Sequence, residues 1–296
     1  MMLLALLIPL VLVMLVYLSS LIRSAVARRT SPHPEGLVLG AITNFFDTLG
    51  IGSYAPTMAW LKFRNLVPDN IIPATMLVGH TLPSMAQAVI FLILLGVFVD
   101  PVLLVGCVIA VLLGGLLGAP LVAKAKLWVV QMIVGLALII AAVFYSFANL
   151  GLMPIGGTAS TLPIELMVIA IAANFVFGIL LNFGVGNYAP TLAMFSIMGM
   201  DPRLSFPIMA AGAALAGAGA SVRHIAIGKI DLRIALGIAI GGIPAVLVAA
   251  FIVKSMPVEL LRWLVILVVI YASGLMLRAA GQGWRESQAK PIPRSA

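Results

Sequence analysis

The segments "GIGSYAPTMA" at residues 50–59 and "GVGNYAPTLA" at residues 184–193 write nearly the same ten residues twice, 134 positions apart. Seven of the ten positions agree, and each segment interrupts a long apolar run with two glycines and a proline. Two prolines further along, Pro68 and Pro73, recur at the same offset without a gap. We therefore interpret the chain as an internal duplication, each copy of which opens with a glycine-broken helix.

The composition of the chain indicates a membrane protein. Of its 296 residues, 63% are hydrophobic and only 9% are charged, and the mean hydropathy is +1.22, which excludes a water-soluble domain. A hydrocarbon core about 30 Å thick needs about 20 apolar residues to be crossed as helix. The apolar runs have that length and do not alternate with polar residues, as the strands of a barrel would. These features predict an all-α polytopic membrane protein.

The apolar runs predict about eight to nine transmembrane helices. They lie near residues 2–22, 36–61, 71–99, 101–123, 127–148, 163–195, 204–227, 231–253 and 257–279. The corresponding organisation is an extra N-terminal span and loop at 1–35, repeat 1 at 36–148, a connecting loop at 149–162, repeat 2 at 163–279 and a polar, disordered tail at 280–296.

The residue types at each break predict a helix that stops and starts again within the membrane. Glycine adopts backbone angles that other residues resist, so the two glycines allow the helix to unwind. Ser53 and Asn187 then stand where an N-cap belongs, and Pro56 and Pro190 fall in the first turn of the next helix, where a missing amide hydrogen costs little. Each copy should therefore present the N-terminus of a half-helix inside the membrane.

Such an N-terminus carries free amide groups and a positive dipole end, which together suit an anion. Two of them, brought together by the repeat, predict a central anion-binding site, as in secondary transporters with broken helices. The predicted substrate-binding residues are Gly50, Gly52, Ser53, Tyr54, Ala55, Pro56 and Thr57 in the first copy and Gly184, Gly186, Asn187, Tyr188, Ala189, Pro190 and Thr191 in the second. The alternative is that the glycines only permit close helix packing.

The two motifs resemble a known transporter family. The stretches "NFFDTLGIGSYAPT" at 44–57 and "NFGVGNYAPT" at 182–191 are similar to the signatures of the TauE/SafE sulfite exporters, also called toluene-sulfonate uptake permeases. The resemblance covers roughly residues 36–279. It implies a permease of the bacterial inner membrane that moves sulfite or a short organosulfonate and needs no cofactor.

Polar residues within the spans are candidates for coupling an ion or lining the cavity: Asp47, Asn44, Asn182, His80, Arg223 and His224. Asp47 precedes the first break and has Leu181 as its counterpart, and a carboxylate at that depth is costly and is a functional candidate by default. It could carry a coupling proton or cap the unwound turn. His80 and the asparagines could equally tie helices together, and Arg223 could pair with a sulfonate or simply contact lipid.

The net charge of +8 comes from Lys and Arg that lie mostly between the apolar runs, where they set orientation and touch lipid head groups. The expected partners are thus a small anion, membrane lipids and a coupling proton or sodium ion, with a homodimer left open and no nucleic acid. No metal site is predicted, and the lone Cys107 implies no disulfide. The chain has no nucleotide-binding G-x-x-x-x-G-K-[ST] stretch, which leaves a secondary carrier or a uniporter.

Orientation and two other functions stay open from the sequence. With nine crossings, ten Lys and Arg share the side of the C-terminus and seven lie opposite, a weak bias toward a cytoplasmic C-terminus. If the broken segments fold back instead, each repeat has three crossings and the two are inverted. The other functions are an intramembrane serine hydrolase that uses Ser53 with His80 or His224, and a structural subunit. Ser53 becomes Asn187 in the second copy, as expected of a cap and not of a nucleophile.

Overall fold

The computed structural model of the protein describes residues 2–122, 126–152, 157–181 and 186–289. These form eleven α-helices: α1 (Met2–Ala27), α2 (Pro34–Thr48), α3 (Tyr54–Phe63), α4 (Ile72–Leu94), α5 (Pro101–Val122), α6 (Leu127–Asn149), α7 (Ile164–Leu181), α8 (Tyr188–Ile197), α9 (Ser205–Ile227), α10 (Leu232–Ser255) and α11 (Val258–Ala289). Short 3₁₀ turns occupy Gly96–Phe98 and Pro202–Leu204.

The helices confirm the predicted fold class. Eight of those in the described ranges are long and apolar enough to cross a membrane, namely α1, α4, α5, α6, α7, α9, α10 and α11. Most predicted spans agree with a helix to within a few residues. The predicted end of the last span at residue 279 is wrong, because α11 continues to Ala289, so the first ten residues of the predicted disordered tail are helical.

Both predicted broken segments consist of two helices. In the first, α2 ends at Thr48 and α3 begins at Tyr54. The glycines between them, Gly50 and Gly52, have φ angles of 95° and 91°, which side chains with a Cβ rarely adopt. In the second, α7 ends at Leu181 and α8 begins at Tyr188. In the first segment the glycines therefore interrupt the helix, as expected, and do more than permit packing.

The first broken segment folds back on itself. Glu35, in the first turn of α2, accepts hydrogen bonds from Trp60 Nε1 and from Arg64 Nε, both at 2.9 Å. Arg64 follows the last residue of α3, so the start of α2 and the end of α3 lie at the same end of the molecule, which we call the Arg64 end. The hydrogen bond from Arg64 also holds the pKa of Glu35 below its usual range.

The second broken segment folds back in the same way. The amide of Ala159, just before α7, donates to the carbonyl of Gly199 at 3.3 Å, and the amide of Asp201 donates to the carbonyl of Ala159 at 3.0 Å. Gly199 and Asp201 follow α8, so this hairpin also enters and leaves at one end. The amide of Asp100 donates to the carbonyl of Ser160 at 3.2 Å, and we therefore call this the Asp100 end.

The two hairpins enter from opposite ends of the molecule. At the Arg64 end, the amide of His33 donates to the carbonyl of Arg233, and the amide of Asp231 donates to Thr75 Oγ1 near the start of α4. Asp100 follows the whole length of α4, at its other end. Seven helices then run between the two ends, α1, α4, α5, α6, α9, α10 and α11. The nine-crossing interpretation is thus replaced by the alternative in which the broken segments fold back.

Glycines let the hairpins pack tightly against the opposite half of the chain. Gly36 and Gly40 of α2 lie against Gly237 and Ile238 of α10, so closely that an added Cβ would meet backbone atoms. Small residues spaced in this way are typical of helix contacts in membranes. The first helix of the second hairpin does the same, with Gly178 of α7 against the carbonyl of Val111 in α5.

This packing is reciprocal. The hairpin of the first half packs its longer helix on α10 of the second, and the hairpin of the second half packs its longer helix on α5 of the first. Helices α5 and α10 hold the same place in the order of their halves, and each is N-capped by an aspartate, Asp100 and Asp231. An inverted duplication would produce this arrangement. The common origin of the two halves stays a prediction.

Candidate functional site

The two hairpin tips lie near the middle of the molecule and beside each other. Helices α3 and α8 have 10 residues each and rise about 15 Å from their ends, half of a hydrocarbon core about 30 Å thick. A Cβ added at Gly50, in the first tip, would lie 3.6 Å from the side chain of Leu192 in α8 and 3.8 Å from Val268 in α11. The first tip therefore packs directly on the second hairpin.

Open space adjoins the glycine of each tip that precedes the second helix. A Cβ added at Gly52 or at Gly186 meets no atom of the described residues within 4 Å. The space next to each glycine is sufficient for a ligand atom to approach the main chain. By contrast, the glycines between α2 and α10 are surrounded by protein.

Ser53 and Asn187 occupy the N-cap positions of α3 and α8, but neither side chain makes a capping hydrogen bond. Asn187 instead donates from Nδ2 to the carbonyl of Met209 in α9 at 3.3 Å. Its side chain thus fixes the second hairpin to α9 and does not cap the first amides of α8.

In the first tip, the Asp47 side chain faces the N-terminus of α3. It is buried, and the hydroxyl and the backbone amide of Ser53 lie beside its carboxylate. The N-terminus of α3 therefore already faces a negative group of the protein. At the second break the offset places Leu181 instead, so the two helix ends differ in charge.

His80 belongs to a chain of hydrogen bonds that joins three helices. Its Nε2 lies 3.0 Å from Thr57 Oγ1, and its Nδ1 lies 2.9 Å from Asn44 Oδ1. Asn44 Nδ2 donates to the carbonyl of Gly40 at 2.7 Å, so its Oδ1 must accept from His80 Nδ1, and Thr57 then donates to Nε2. Both ring nitrogens of a neutral imidazole are used. This supports the interpretation of His80 and Asn44 as ties between helices.

The second hairpin has a simpler tie. Thr191 Oγ1 donates to Asn174 Oδ1 at 3.5 Å, and Asn174 Nδ2 donates to the carbonyl of Ala170 at 2.8 Å. The sequence interpretation missed Asn174, which is fully buried. The signal was present, because an asparagine in the middle of an apolar span needs a partner.

Tyr54 and Tyr188, expected to be equivalent, have different surroundings. The Tyr54 ring lies 5.5 Å from the His80 ring, centroid to centroid, and 46% of the residue is exposed. The Tyr188 hydroxyl is buried, lies beside Gln87 of α4 and senses the charge of Asp47. Both hydroxyls lie near Asp47, but only that of Tyr188 lies beside Gln87.

Gln87 is a second residue that the sequence interpretation missed. It is fully buried, and neither its Nε2 nor its Oε1 has a hydrogen-bond partner in the part of the chain described. A buried amide in this condition is unusual, because most buried polar groups are paired.

The other predicted residues divide into three groups. Those in or beside the tips are Ala55, Pro56, Ala189 and Pro190. Arg223 and His224 lie far from the tips, in the last turns of α9 at the Arg64 end, so the structure does not bring them to the site. Asn182 and Gly184 lie outside the described residues. No cluster that could hold a metal ion occurs among the residues described.

The hydrolase alternative requires a histidine next to Ser53. His80 is hydrogen-bonded to Thr57 and Asn44, whereas Ser53 lies beside Asp47. His224 lies in the last turn of α9, at the Arg64 end. The described residues therefore do not assemble the nucleophile and base that this alternative needs.

Comparison with known families completes the description of the site. Residues 166–296 match the family model described as "Sulfite exporter TauE/SafE". This TauE/SafE match confirms the resemblance for the second half of the chain, where it includes the motif at 182–191 and helices α8 to α11, whereas the first motif at 44–57 lies outside the matched residues. No curated protein and no solved structure matches the chain significantly. TauE/SafE proteins form a family of membrane sulfite exporters, so the match supports a role in transport.

Proposed function

We propose that the protein is a secondary transporter for a small anion, either sulfite or a short organosulfonate. The TauE/SafE match over residues 166–296 supports the reaction class. The observation that carries the proposal is the meeting of two half-helix tips at mid-depth, with open space beside Gly52 and Gly186. Discontinuous helices with free N-termini at the bilayer midplane are where such carriers bind anionic groups.

The distribution of basic residues supports a definite orientation. Eleven of the described Lys and Arg lie toward the Arg64 end: Arg23, Arg28, Arg29, Lys62, Arg64, Lys126, Arg223, Lys229, Arg233, Arg278 and Arg285. Three lie toward the Asp100 end: Arg203, Lys254 and Arg262. Because cytoplasmic loops carry the excess of basic residues, the Arg64 end faces the cytoplasm of a bacterial inner membrane and the first hairpin opens from that side.

The membrane potential then favours export. A monovalent anion leaves a cell with a negative interior downhill by about 2.3 kcal/mol per 100 mV, so export needs no coupled ion. Uptake would need a co-transported proton or sodium ion. Asp47, the buried carboxylate between the tips, is the residue that would bind it.

The proposal is tested by flux in proteoliposomes of the purified protein. Sulfite, sulfate, sulfoacetate, taurine and acetate are each supplied at membrane potentials of either sign. We expect saturable movement of sulfite or a sulfonate that follows the potential, with protein-free liposomes as the control. Folded and inserted protein that moves none of them would refute the proposal.

A further inference from the structure

We propose that the N-terminus of α8, Gln87 and Tyr188 together form the subsite that binds the anionic group, and that this subsite selects monoanions over dianions. The inference rests on the proposed transport of an anion. It departs from the symmetric site expected from the repeat, because it gives the two helix ends different roles.

The first support is the unpaired amide of Gln87. Both of its polar atoms are buried and without a partner in the described part of the chain, and leaving such groups unpaired costs free energy. A ligand that accepts from Nε2 and donates to Oε1 would remove that cost. Gln87 can therefore bind a partner that the described part of the chain does not supply.

The second support is the Tyr188 hydroxyl. It too is buried without a hydrogen-bond partner among the described residues, and the amide of Gln87 lies beside it. Tyr188 is the first residue of α8, next to the open space at Gly186. Two unpaired donors therefore adjoin the free amides of one helix end.

The third support is the contrast with α3. Its N-terminus has the Asp47 carboxylate against the Ser53 amide, which already supplies the negative group that a helix N-terminus favours. At the α8 end the repeat offset places Leu181 where α3 has Asp47, and Asn187 donates to the carbonyl of Met209 instead. An incoming anion therefore has one free helix end to occupy.

The charges around the subsite define the class of ligand. The described Lys and Arg lie toward the two ends of the molecule, whereas the Asp47 carboxylate is buried near the tips. A helix end contributes the equivalent of about half a positive charge, and Asp47 opposes it. Such a site can balance a single negative charge better than two. Hydrogensulfite or an organosulfonate fits this description, and Gln87 Oε1 can accept the proton of hydrogensulfite, whereas sulfate does not fit.

The test compares sulfite flux in Gln87→Leu and Tyr188→Phe with that of matched controls, Gln131→Leu in α6 and Tyr271→Phe in α11. We expect each site variant to raise KM about tenfold or more and each control to stay within twofold. Sulfate in tenfold excess should not compete in the unaltered protein.

Thermal unfolding separates ligand binding from a structural role. Removing an unpaired buried amide should leave the Tm of Gln87→Leu unchanged or raised, whereas a structural amide would lower it. If Gln87→Leu fails to fold, Gln87→Asn keeps the chemistry and is measured instead.

The outcomes separate this inference from the proposed function. If the unaltered protein moves no sulfite or sulfonate, the proposed function fails. If it transports while Gln87→Leu and Tyr188→Phe keep the same KM, or if sulfate competes as well as sulfite, only the subsite is wrong.

Discussion

His80 shows at the scale of one residue why a polar group in a membrane span needs its partners identified. From the sequence it was a candidate for proton coupling or for a helix tie. In the structure both ring nitrogens are occupied, by Thr57 and by Asn44, and the residue is fully buried. Its contribution is therefore to join α4 to the two helices of the first hairpin.

We predict that His80→Leu destabilises the protein without abolishing transport by the molecules that remain folded. The variant leaves Thr57 and Asn44 with unpaired buried groups, which costs about 1–3 kcal/mol. Thermal unfolding in detergent, combined with flux per folded molecule, measures both effects. His224→Leu, at the end of α9, is the control and should change neither. A stable His80→Leu protein without flux would point to a proton relay.

We also predict that Gly52→Leu and Gly186→Leu block transport. Each new side chain would fill the open space beside a tip, and at Gly52 it would also strain a backbone with a φ of 91°, at about 1–2 kcal/mol. Gly274→Leu is the control, since its Cβ also meets no atom within 4 Å but lies in α11. Sulfite flux decides the matter, and normal flux in both tip variants would remove the tips from the site.

The sequence predicted the residues of the tips better than their roles. The cap positions of Ser53 and Asn187 follow from the glycines and prolines around them, because these act locally. Gln87 could not be selected in the same way, since an unpaired amide becomes evident only when the neighbouring helices are in place. The different surroundings of Tyr54 and Tyr188 could not be predicted for the same reason, because the same residue type contacts different side chains in the two copies.

At the scale of helices, the direction of each hairpin depends on contacts between residues distant in the chain. The run at 36–61 is long enough to cross a membrane, so length and hydropathy alone favoured a span. Its return is fixed by Glu35, which binds Trp60 and Arg64. The lengths of α4, α5 and α6, in contrast, were predictable because each crosses once and is apolar throughout.

The contact between α2 and α10 gives a prediction for stability. Gly241 lies against the backbone of Leu37 with no room for a Cβ, so Gly241→Leu should destabilise the protein by about 1–3 kcal/mol through overpacking. Gly217→Ala in α9 serves as the control, because its Cβ would meet only the Leu77 side chain at 3.8 Å. Unfolding temperatures in detergent test this, and equal values for the two variants would contradict the close contact.

At the scale of the whole molecule, folding back changes which loops share a side. Nine crossings gave ten basic residues against seven, whereas the observed arrangement gives eleven against three among the described residues. The charges were always visible in the sequence. The side of the membrane on which each charge lies was not, because one undetected hairpin reverses the side assigned to every loop that follows it.

Labelling of single cysteines tests this topology. In a Cys107→Ala background, Lys62→Cys should react only from the cytoplasm and Lys254→Cys only from outside, measured with an impermeant maleimide on oriented membranes. With nine crossings the two positions would share a side. Labelling of both from the same face would therefore refute the hairpins.

The reciprocal packing of the hairpins has a consequence for assembly. Helix α2 finds its closest partner, α10, in the other half, and α7 finds its own in α5, so neither half can shield its glycine-lined surface alone. If the gene is cut between α6 and α7, we expect each fragment to be degraded when made separately and both to persist when made together. The two fragments would behave as subunits of a heterodimer. The segment between Asn149 and Ile164 thus links, within one chain, two halves that would otherwise have to associate as separate subunits.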